Sequence, residues 1–366
     1  FAKQLCQCRR CASPDLRGGL EPSKTEGLRD GTVPTMGDPL PSKPFPDTTY
    51  TQTGAFVQDE IEYGKLSIIP GLRFDHYDLQ PSAAGYTGTV VSLSDRALSP
   101  KIGFVWRAAP AFAPYAQWAK GFRAPTPDQV NNSFSNPIHG YGSIGNPNLK
   151  PERANSLELG FRGRTDNTRY SLAVFDNRYD NFISQQVVAV NPGPPPFITY
   201  QYINLAKARI QGVEARGEWT ITPRWSANAG LAYTEGDSWA NGVKSTLETV
   251  NPFKAVLGAR YEAGAWGFKA NITHSSGKSP TLLPSLPTSG APGAPMLPQF
   301  ATPSYTTLDL GLSWKQGNWS VNTALNNVFD KKYWRWSDAR GVPDNAQRDA
   351  YSAAGRNLSI GVRYDF

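Results

Sequence analysis

The residues of this chain that could do chemistry are few, because its 366 residues include three histidines and three cysteines. His139 lies in a glycine-rich stretch, with Tyr141 two residues further on. A neutral imidazole can ligate a metal ion, and a phenolate oxygen is another ligand that iron accepts. Glycines let a chain approach a flat ligand closely, and Phe134, Ile138 and Tyr141 could pack on its face. A solitary histidine in a loop is by default a solvated side chain. The assignment of His139 as a ligand therefore depends on the sequence elements around it.

The remaining histidines and the cysteines indicate no reactive site. His76 and His274 fall at the ends of alternating segments, at positions that share a strand face with apolar residues. This placement favours solvated or interfacial side chains. Cys6, Cys8 and Cys11 have no fourth ligand nearby, which favours a loop disulfide with one cysteine left over rather than a metal site. The sequence also lacks a Gly-x-Ser-x-Gly elbow, a His-Glu-x-x-His helix and a phosphate-binding glycine loop. We therefore predict no catalytic residues and no enzyme activity.

Composition and charge exclude two further classes of protein. Lys and Arg number 37 against 30 Asp and Glu, and the net charge of +7 is spread over single residues rather than concentrated in a basic block. Nucleic-acid binding is therefore not expected. No stretch reaches the roughly 18 to 20 consecutive apolar residues of a membrane-spanning helix. The 16 Tyr, 17 Phe and 10 Trp instead suit a chain made of strands.

Apolar and polar residues alternate along many segments, which is typical of strands with one apolar face. In the last segment, Leu358, Ile360 and Val362 alternate with Ser359 and Gly361. The pattern predicts about 13 strands. They lie at residues 49–62, 65–79, 99–108, 112–121, 154–164, 168–187, 198–221, 224–237, 251–262, 266–277, 304–315, 319–333 and 355–366. Short turns alternate strictly with long connections, so the sequence predicts an all-β fold, a transmembrane antiparallel β-barrel of the bacterial outer membrane.

The odd number of strands predicts how the chain is divided. If the short turns are periplasmic, the first predicted strand runs downward, whereas bacterial barrels normally have an even number of strands and both ends inside. We therefore expect further strands upstream. Residues 1–48, which are rich in Cys and Pro and do not alternate, are predicted to be an extracellular loop segment. Residues 49–366 are predicted to be the C-terminal portion of the barrel.

Several stretches of this portion resemble those of the TonB-dependent outer-membrane receptors. They are Gly-Ala-Phe-Val-Gln-Asp-Glu at 54–60, Asn-Pro-Asn-Leu-Lys-Pro-Glu at 146–152, Ile-Gln-Gly-Val-Glu at 210–214, Asn-Val-Phe-Asp-Lys-Lys-Tyr at 327–333 and the aromatic C-terminus. The resemblance implies a barrel of about 22 strands around an N-terminal plug. The chain would then hold the last strands of such a barrel, without the plug and its TonB-contacting box.

Within that family, the receptors for haem and haemoglobin are the most similar subgroup. They carry a Phe-Arg-Ala-Pro element and an Asn-Pro-Asn-Leu element on either side of a histidine in one extracellular loop. Here the elements are Phe122-Arg123-Ala124-Pro125 and Asn146-Pro147-Asn148-Leu149, with His139 between them. The resemblance implies that His139 ligates the haem iron. On chemical grounds Tyr141 is a second candidate haem-binding residue, because its phenolate could also ligate iron. The two elements are expected to stiffen the loop, with Arg123 bonded to carboxylates or carbonyls.

These expectations combine into a functional prediction. Haem, free or taken from a haemoprotein such as haemoglobin, would bind at the extracellular loops as a transported ligand rather than as a catalytic cofactor. Import would be driven by the TonB complex acting through the plug. The other expected partner is outer-membrane lipid, and the receptor is expected to be a monomer. A ferric-siderophore receptor of the same family and a passive outer-membrane porin are the alternatives.

Overall fold

The structure, a computed structural model, describes residues 15–26, 28, 41–136, 141–190, 198–240, 242–280, 283, 285–287 and 295–366. These residues form twenty strands, two short α-helices and one 3-10 helix. The strands are β1 Asp15–Thr25, β2 Thr48–Gln58, β3 Ile61–Tyr63, β4 Leu66–Pro81, β5 Leu93–Trp106, β6 Ala113–Arg123, β7 Ser133–Asn136, β8 Tyr141–Ile144, β9 Glu152–Arg164, β10 Thr168–Val190, β11 Ile198–Thr220, β12 Trp225–Ala240, β13 Val243–Thr246, β14 Lys254–Ala263, β15 Trp266–Ser275, β16 Ser285–Pro287, β17 Met296–Pro298, β18 Tyr305–Gln316, β19 Trp319–Asn326 and β20 Asn357–Tyr364. The helices are α1 Pro127–Asn131, α2 Trp336–Ala339 and the 3-10 helix Ala346–Tyr351.

The long strands form one antiparallel sheet in which each strand pairs with the next long strand along the chain. The order is β1-β2-β4-β5-β6-β9-β10-β11-β12-β14-β15-β18-β19-β20. The short strand β3 extends the pairing of β2 with β4, and β8 pairs in parallel with β11. The prediction of an all-β, antiparallel architecture is confirmed.

Along the middle of the sheet, one face is apolar and the other is polar. Leu157, Leu159 and Val174 are each at least 40% exposed on the first face, which we call the apolar face. The opposite face lines a cavity of about 450 Å³ with residues that include Glu158 and Ser171. A band of exposed apolar side chains suits a surface in contact with lipid, and the polar face suits a water-filled interior.

The sheet has two edges. Within the described ranges, β1 pairs with β2 and β20 pairs with β19, and neither has a second neighbour. Every residue of β20 is exposed. No helix in the described part of the chain is long and apolar enough to cross a membrane.

The prediction of about 13 strands is wrong, because the structure has twenty. Each predicted segment contains a strand, but the segment at 49–62 is divided into β2 and β3. Pro70 of β4 lies opposite this division. Its carbonyl accepts the N–H of Asp59 at 3.1 Å, but proline has no N–H with which to return a bond. The ladder is therefore interrupted at that point.

Six further strands lie where no strand was predicted. β1 lies within residues 1–48 and pairs with β2 along its whole length, from Asp15 opposite Gln58 to Thr25 opposite Thr48. Because this strand is defined by its pairing and its residues do not alternate, periodicity does not reveal it. β7, β8, β13, β16 and β17 have three or four residues each, too few for a period to be read.

The long connections are packed at two places. We call the first the loop base; it comprises residues 122–136 and 141–152, and its buried apolar side chains include Val130 and Leu149. We call the second the loop cap; it comprises residues 247–250, 299–302 and 334–342, and Phe300 and Trp334 are buried in it. The candidate site lies at the loop base.

Candidate functional site

The Phe122-Arg123-Ala124-Pro125 element begins at the end of β6. The Phe122 ring packs 5.6 Å from the ring of Tyr77. The Arg123 guanidinium donates two hydrogen bonds to Glu152, the first residue of β9, with Nε–Oε2 at 2.6 Å and Nη2–Oε1 at 2.7 Å. Bidentate pairing fixes both the distance and the orientation of the two groups. The first element is therefore anchored to the strand that follows the loop.

Glu152 joins three strands at this point. Its side chain is 9% exposed, and its Oε1 also accepts the backbone N–H of Ile183 in β10 at 2.7 Å. A carboxylate that is buried without partners is strongly destabilising. The Arg123 guanidinium and the Ile183 N–H supply those partners, so the start and the end of the loop are held at one position.

A proline-rich turn and the short helix α1 follow the first element. Ala124 is half-buried and Pro125 is fully buried. Pro127 occupies the first position of α1, where its missing N–H is tolerated and its fixed φ suits a helix. The side-chain oxygen of Gln129 accepts the backbone N–H of Thr126 at 3.1 Å. These contacts set the direction in which the chain leaves β6.

Asn131, the last residue of α1, ties the loop base to the connection between β4 and β5. It is almost completely buried, its Oδ1 accepts the N–H of Val91 at 2.7 Å, and its Nδ2 donates to the Val91 carbonyl at 2.9 Å. The Tyr86 hydroxyl donates to the Asn131 carbonyl. Burial raises the pKa of the Tyr86 phenol, so this hydroxyl keeps its proton at neutral pH.

The Asn146-Pro147-Asn148-Leu149 element begins with an asparagine that bonds three segments. The backbone N–H of Asn146 donates to the Gln129 carbonyl at 3.2 Å, and its Nδ2 donates to the Tyr202 carbonyl at 2.9 Å. Its Oδ1 accepts the N–H of Asn148 at 3.0 Å, a turn that asparagine favours. The second element is therefore joined to α1 and to β11 by one side chain and its backbone.

The rest of this element divides between solvent and the protein interior. Pro147 and Asn148 are exposed. Leu149 is 2% exposed and packs in a cluster with Leu79, Val130 and Ile183. The two sequence elements therefore belong to one packed unit, connected through α1, the Arg123 ion pair and this apolar cluster.

Gly145 precedes the second element and was not singled out from the sequence. A Cβ at this position would lie 2.4 Å from the Val130 carbonyl oxygen and 2.7 Å from the backbone nitrogen of Asn132. Both atoms belong to the backbone, so the clash could not be relieved by turning a side chain. The Gly145 carbonyl also accepts Nε2 of Gln201 at 2.8 Å. The requirement for glycine here is one of space, which no local sequence pattern signals.

β7 and β8 form a hairpin on the loop base, and Asn136 opposite Tyr141 is its last described pair. His139, the predicted iron ligand, lies among residues 137–140, outside the described residues. The Tyr141 ring lies 5.7 Å from Phe134 and 6.4 Å from Tyr200, measured between ring centroids. We call Phe134, Tyr141 and Tyr200 the aromatic cluster.

Three residues of β11 complete the surroundings and were not singled out from the sequence. Tyr200, Tyr202 and Asn204 occupy alternate positions near the start of that strand. Asn204 bonds both backbone groups of Lys150, with the Lys150 N–H donating to Oδ1 at 2.8 Å and Nδ2 donating to the Lys150 carbonyl at 2.8 Å. The sequence did contain a signal for these residues. Polar and aromatic residues alternate there, at the end of a predicted strand that adjoins a long connection.

Comparison with known proteins decides the family. Residues 18–328 match the family described as "TonB dependent receptor-like, beta-barrel". This chain belongs to the TonB-dependent receptor family. Members are transport receptors of the Gram-negative outer membrane rather than enzymes, and the outer membrane is accordingly the location of this receptor.

Relatives of this receptor include two curated proteins. Hemoglobin-haptoglobin utilization protein B of Neisseria meningitidis serogroup C is 26% identical over 293 residues, which are 72% of this chain and 36% of the relative. Heme/hemopexin utilization protein C of Haemophilus influenzae is 25% identical over 332 residues, which are 82% of this chain and 41% of the relative. The receptor chain therefore spans less than half the length of either relative.

A solved structure shares the fold of the receptor. The copper transporter OprC superimposes with a TM-score of 0.74 at 18% identity, over 98% of this chain and 55% of that chain. At this level of identity the similarity concerns the fold alone.

The other two histidines of the receptor lie in long strands of the sheet. His76 of β4 is exposed, and Nδ1 of His274 in β15 lies 2.9 Å from the Thr306 hydroxyl oxygen. Among the residues that the structure describes, no group of three or more His, Cys, Asp and Glu side chains could hold a metal ion. The three cysteines lie outside those residues.

Proposed function

We propose that this receptor binds haem at the hairpin of β7 and β8 and imports it across the outer membrane. The haem is the transported substrate, free or taken from haemoglobin, and import is coupled to TonB. The names of the two relatives refer to hemoglobin-haptoglobin and to heme/hemopexin, which supports this class of ligand.

The observation that carries the proposal is the construction of the loop base. The two sequence elements are joined through the Arg123–Glu152 pair and the buried Leu149. The hairpin is attached to the same unit, because the Gly145 N–H donates to the Asn132 carbonyl at 2.5 Å. A base that is fixed before binding reduces the entropy lost when a long loop takes up a ligand. Such a base suits a loop that must hold a rigid, flat substrate.

Different roles follow for the residues of the loop. His139 supplies a neutral imidazole as an axial ligand to the haem iron. Tyr141 supplies ring surface against the porphyrin or, as phenolate, a second ligand. Phe134 and Tyr200, which already contact the Tyr141 ring, extend the aromatic surface.

Haemin titration of the purified receptor tests ligation by His139. We expect a shift of the Soret band in the wild-type protein and its loss in His139→Ala. His274→Ala is the matched control, because it removes an imidazole that contacts Thr306 and should leave the shift intact. Equal shifts in wild type and His139→Ala would contradict ligation by His139, and the absence of a shift in both proteins would favour a ferric-siderophore receptor.

Two substitutions separate the possible roles of Tyr141. Tyr141→Phe keeps the ring and removes the hydroxyl, whereas Tyr141→Ala removes both. An unchanged Soret position in Tyr141→Phe, together with weaker binding in Tyr141→Ala, identifies ring packing. A changed Soret position in Tyr141→Phe identifies the phenolate as a ligand.

Energy coupling is tested separately by growth on haem. Cells that depend on this receptor for haem should stop growing on it when TonB is deleted, because a barrel has no energy source of its own. Growth that continues without TonB would support passive diffusion, as through a porin.

A further inference from the structure

Charged side chains stand on the apolar face of the sheet, beyond its apolar band. On this face Leu159, Val174 and Val213 lie opposite one another in β9, β10 and β11. Side chains on one face of a strand recur at every second residue. Asp176 and Arg178 therefore lie on the same face as Val174, farther along β10 toward a long connection.

Two neighbouring rows of mostly polar side chains cross the sheet beyond Val174, and the first lies about 13 Å away, the length of four strand residues. In the first row, Arg178 lies opposite Arg209 on one side and opposite Asn155 on the other. The two rows hold the cations Lys120, Arg153, Arg178, Lys207 and Arg209 and the anions Asp180 and Asp237. The row between them and the apolar band holds two further anions, Asp176 and Glu235, so the three rows together carry five cations against four anions.

Arg178 and Arg209 lie directly opposite each other, an arrangement that is unfavourable for like charges. Asp176 is placed between them. Its Oδ2 accepts Nη2 of Arg178 at 2.9 Å, and its Oδ1 accepts Nε of Arg209 at 2.8 Å. One carboxylate thus holds two guanidinium groups side by side, and the three side chains keep one net positive charge.

Both guanidinium groups remain accessible. The side chains of Arg178 and Arg209 are 66% and 39% exposed, against 22% for Asp176. A guanidinium has five N–H donors, and the bonds to Asp176 use Nε and Nη2 of each arginine. The remaining donors suit a phosphate, which guanidinium groups bind through two parallel hydrogen bonds.

We propose that Arg178 and Arg209 form a binding site for the phosphorylated headgroup of an outer-membrane lipid. The position of the site indicates the source of the phosphate, because acyl chains would lie along Val174 and its neighbours while the headgroup meets the arginines. A free phosphate ion would lack the contact with the apolar band. This inference does not depend on the identity of the imported substrate.

Native mass spectrometry of the receptor in mild detergent tests the proposal. The double variant Arg178→Gln/Arg209→Gln should retain phosphorylated lipid about thirty-fold less strongly, because each cation near a lipid surface contributes about a factor of five. Arg216→Gln is the matched control, because Arg216 lies in β11 on the opposite face and is also exposed. Equal retention by the double variant and the wild type, or equal loss in the control, would overturn the proposal.

A second variant separates lipid binding from a role in aligning the strands. Asp176→Asn removes the carboxylate that competes for the arginines, so lipid retention should rise. If lipid retention and the melting temperature both fall in Asp176→Asn, the ion pairs of Asp176 with the two arginines serve strand pairing rather than lipid binding. Displacement of the lipid by inorganic phosphate alone would identify a free-anion site and contradict the lipid assignment.

Discussion

The loop base and the loop cap are both packed from long connections, but different interactions hold them. In the loop base, side-chain amides bond the backbone of neighbouring segments, as Asn146 does with Tyr202 and Asn131 does with Val91. In the loop cap, aromatic rings are buried against one another, and the Phe300 and Trp334 ring centroids are 5.1 Å apart.

The loop cap joins three connections that are distant in sequence. Trp336 is 3% exposed, and its Nε1 donates to the Glu248 carbonyl at 2.6 Å. The Lys278 ammonium lies 5.2 Å from the centre of the Trp336 ring and donates to the Val250 carbonyl at 2.9 Å. The polar contacts of the cap are therefore made around an apolar centre.

The two kinds of contact suit the two regions to different tasks. Hydrogen bonds depend steeply on direction, whereas an apolar centre can be filled in several ways without loss of the fold. The haem-binding loop proposed above would need fixed positions, which the bonds of the loop base provide. The loop cap needs to exclude water and keep three connections together, which buried rings accomplish.

The largest effect is expected from Trp334→Ala in the loop cap. The indole is almost completely buried and its Nε1 donates to the Arg348 carbonyl at 2.8 Å. Its removal should destabilise the cap by about 3 to 5 kcal/mol. Hydrogen exchange measured by mass spectrometry should show faster exchange in cap peptides and no change in loop-base peptides. Equal acceleration in both regions would mean that they form one cooperative unit.

A smaller effect is expected from Arg123→Gln in the loop base. The substitution leaves the buried Glu152 carboxylate without its cation, at a cost of about 2 kcal/mol, less than for a fully buried pair because Arg123 is 44% exposed. Loop-base peptides should then exchange faster while cap peptides do not. Adding Glu152→Gln should recover part of the loss, since it removes the unpaired charge. No recovery in the double variant would show that the charge of Glu152 is not the cause.

The sequence predicted the sheet well because each long strand carries its own pattern. In β14 and β15, for example, Leu257 lies opposite Ile272 on the apolar face, and both strands were predicted from alternation alone. The division at Pro70 was missed because it depends on the partner strand. β1 was missed for the same reason, since its residues do not alternate.

The loop base and loop cap could be predicted only in part. The Phe-Arg-Ala-Pro and Asn-Pro-Asn-Leu elements marked two ends of the loop base, but the bonds of Asn204 with Lys150 join residues that no local pattern relates. Phe300 and Trp334 belong to different connections, and their contact follows from the order of the strands. Contacts of this kind require the fold before they can be recognised.

Asn146→Ala should weaken the loop base by about 1 to 2 kcal/mol, because it removes the bond to the Tyr202 carbonyl and the acceptor for the Asn148 N–H. Asn148→Ala is a matched control in the same element, since the bond made by Asn148 comes from its backbone and survives the substitution. Hydrogen exchange of loop-base peptides should therefore separate the two variants. Identical behaviour would mean that the Asn146 side chain does not hold the element.

The smallest effect is a dependence of loop-cap stability on pH. Burial raises the pKa of the Glu248 carboxyl, although its bond with Gln299 and the charges of Arg340 and Lys278 oppose the shift. Burial lowers the pKa of the Lys278 ammonium, which the charge of Glu248 partly offsets. At a pH between the unfolded and the folded pKa of Glu248, this carboxyl binds more protons in the folded cap than in the unfolded chain. Stability should therefore rise as the pH falls through the folded pKa of Glu248.

Lys278 has the opposite sign. Between its lowered folded pKa and its unfolded pKa, the unfolded chain binds more protons, so stability should rise with pH in the alkaline range. The cap should thus be least stable near neutral pH, where both groups are charged. Thermal unfolding followed by tryptophan fluorescence, from acid to alkaline pH, should show this minimum; Trp334 and Trp336 are two of the ten tryptophans that contribute to the signal. Glu248→Gln should abolish the acid limb and keep the alkaline one, because it removes a single titrating group; an acid limb that persists in this variant would assign the effect to another carboxyl.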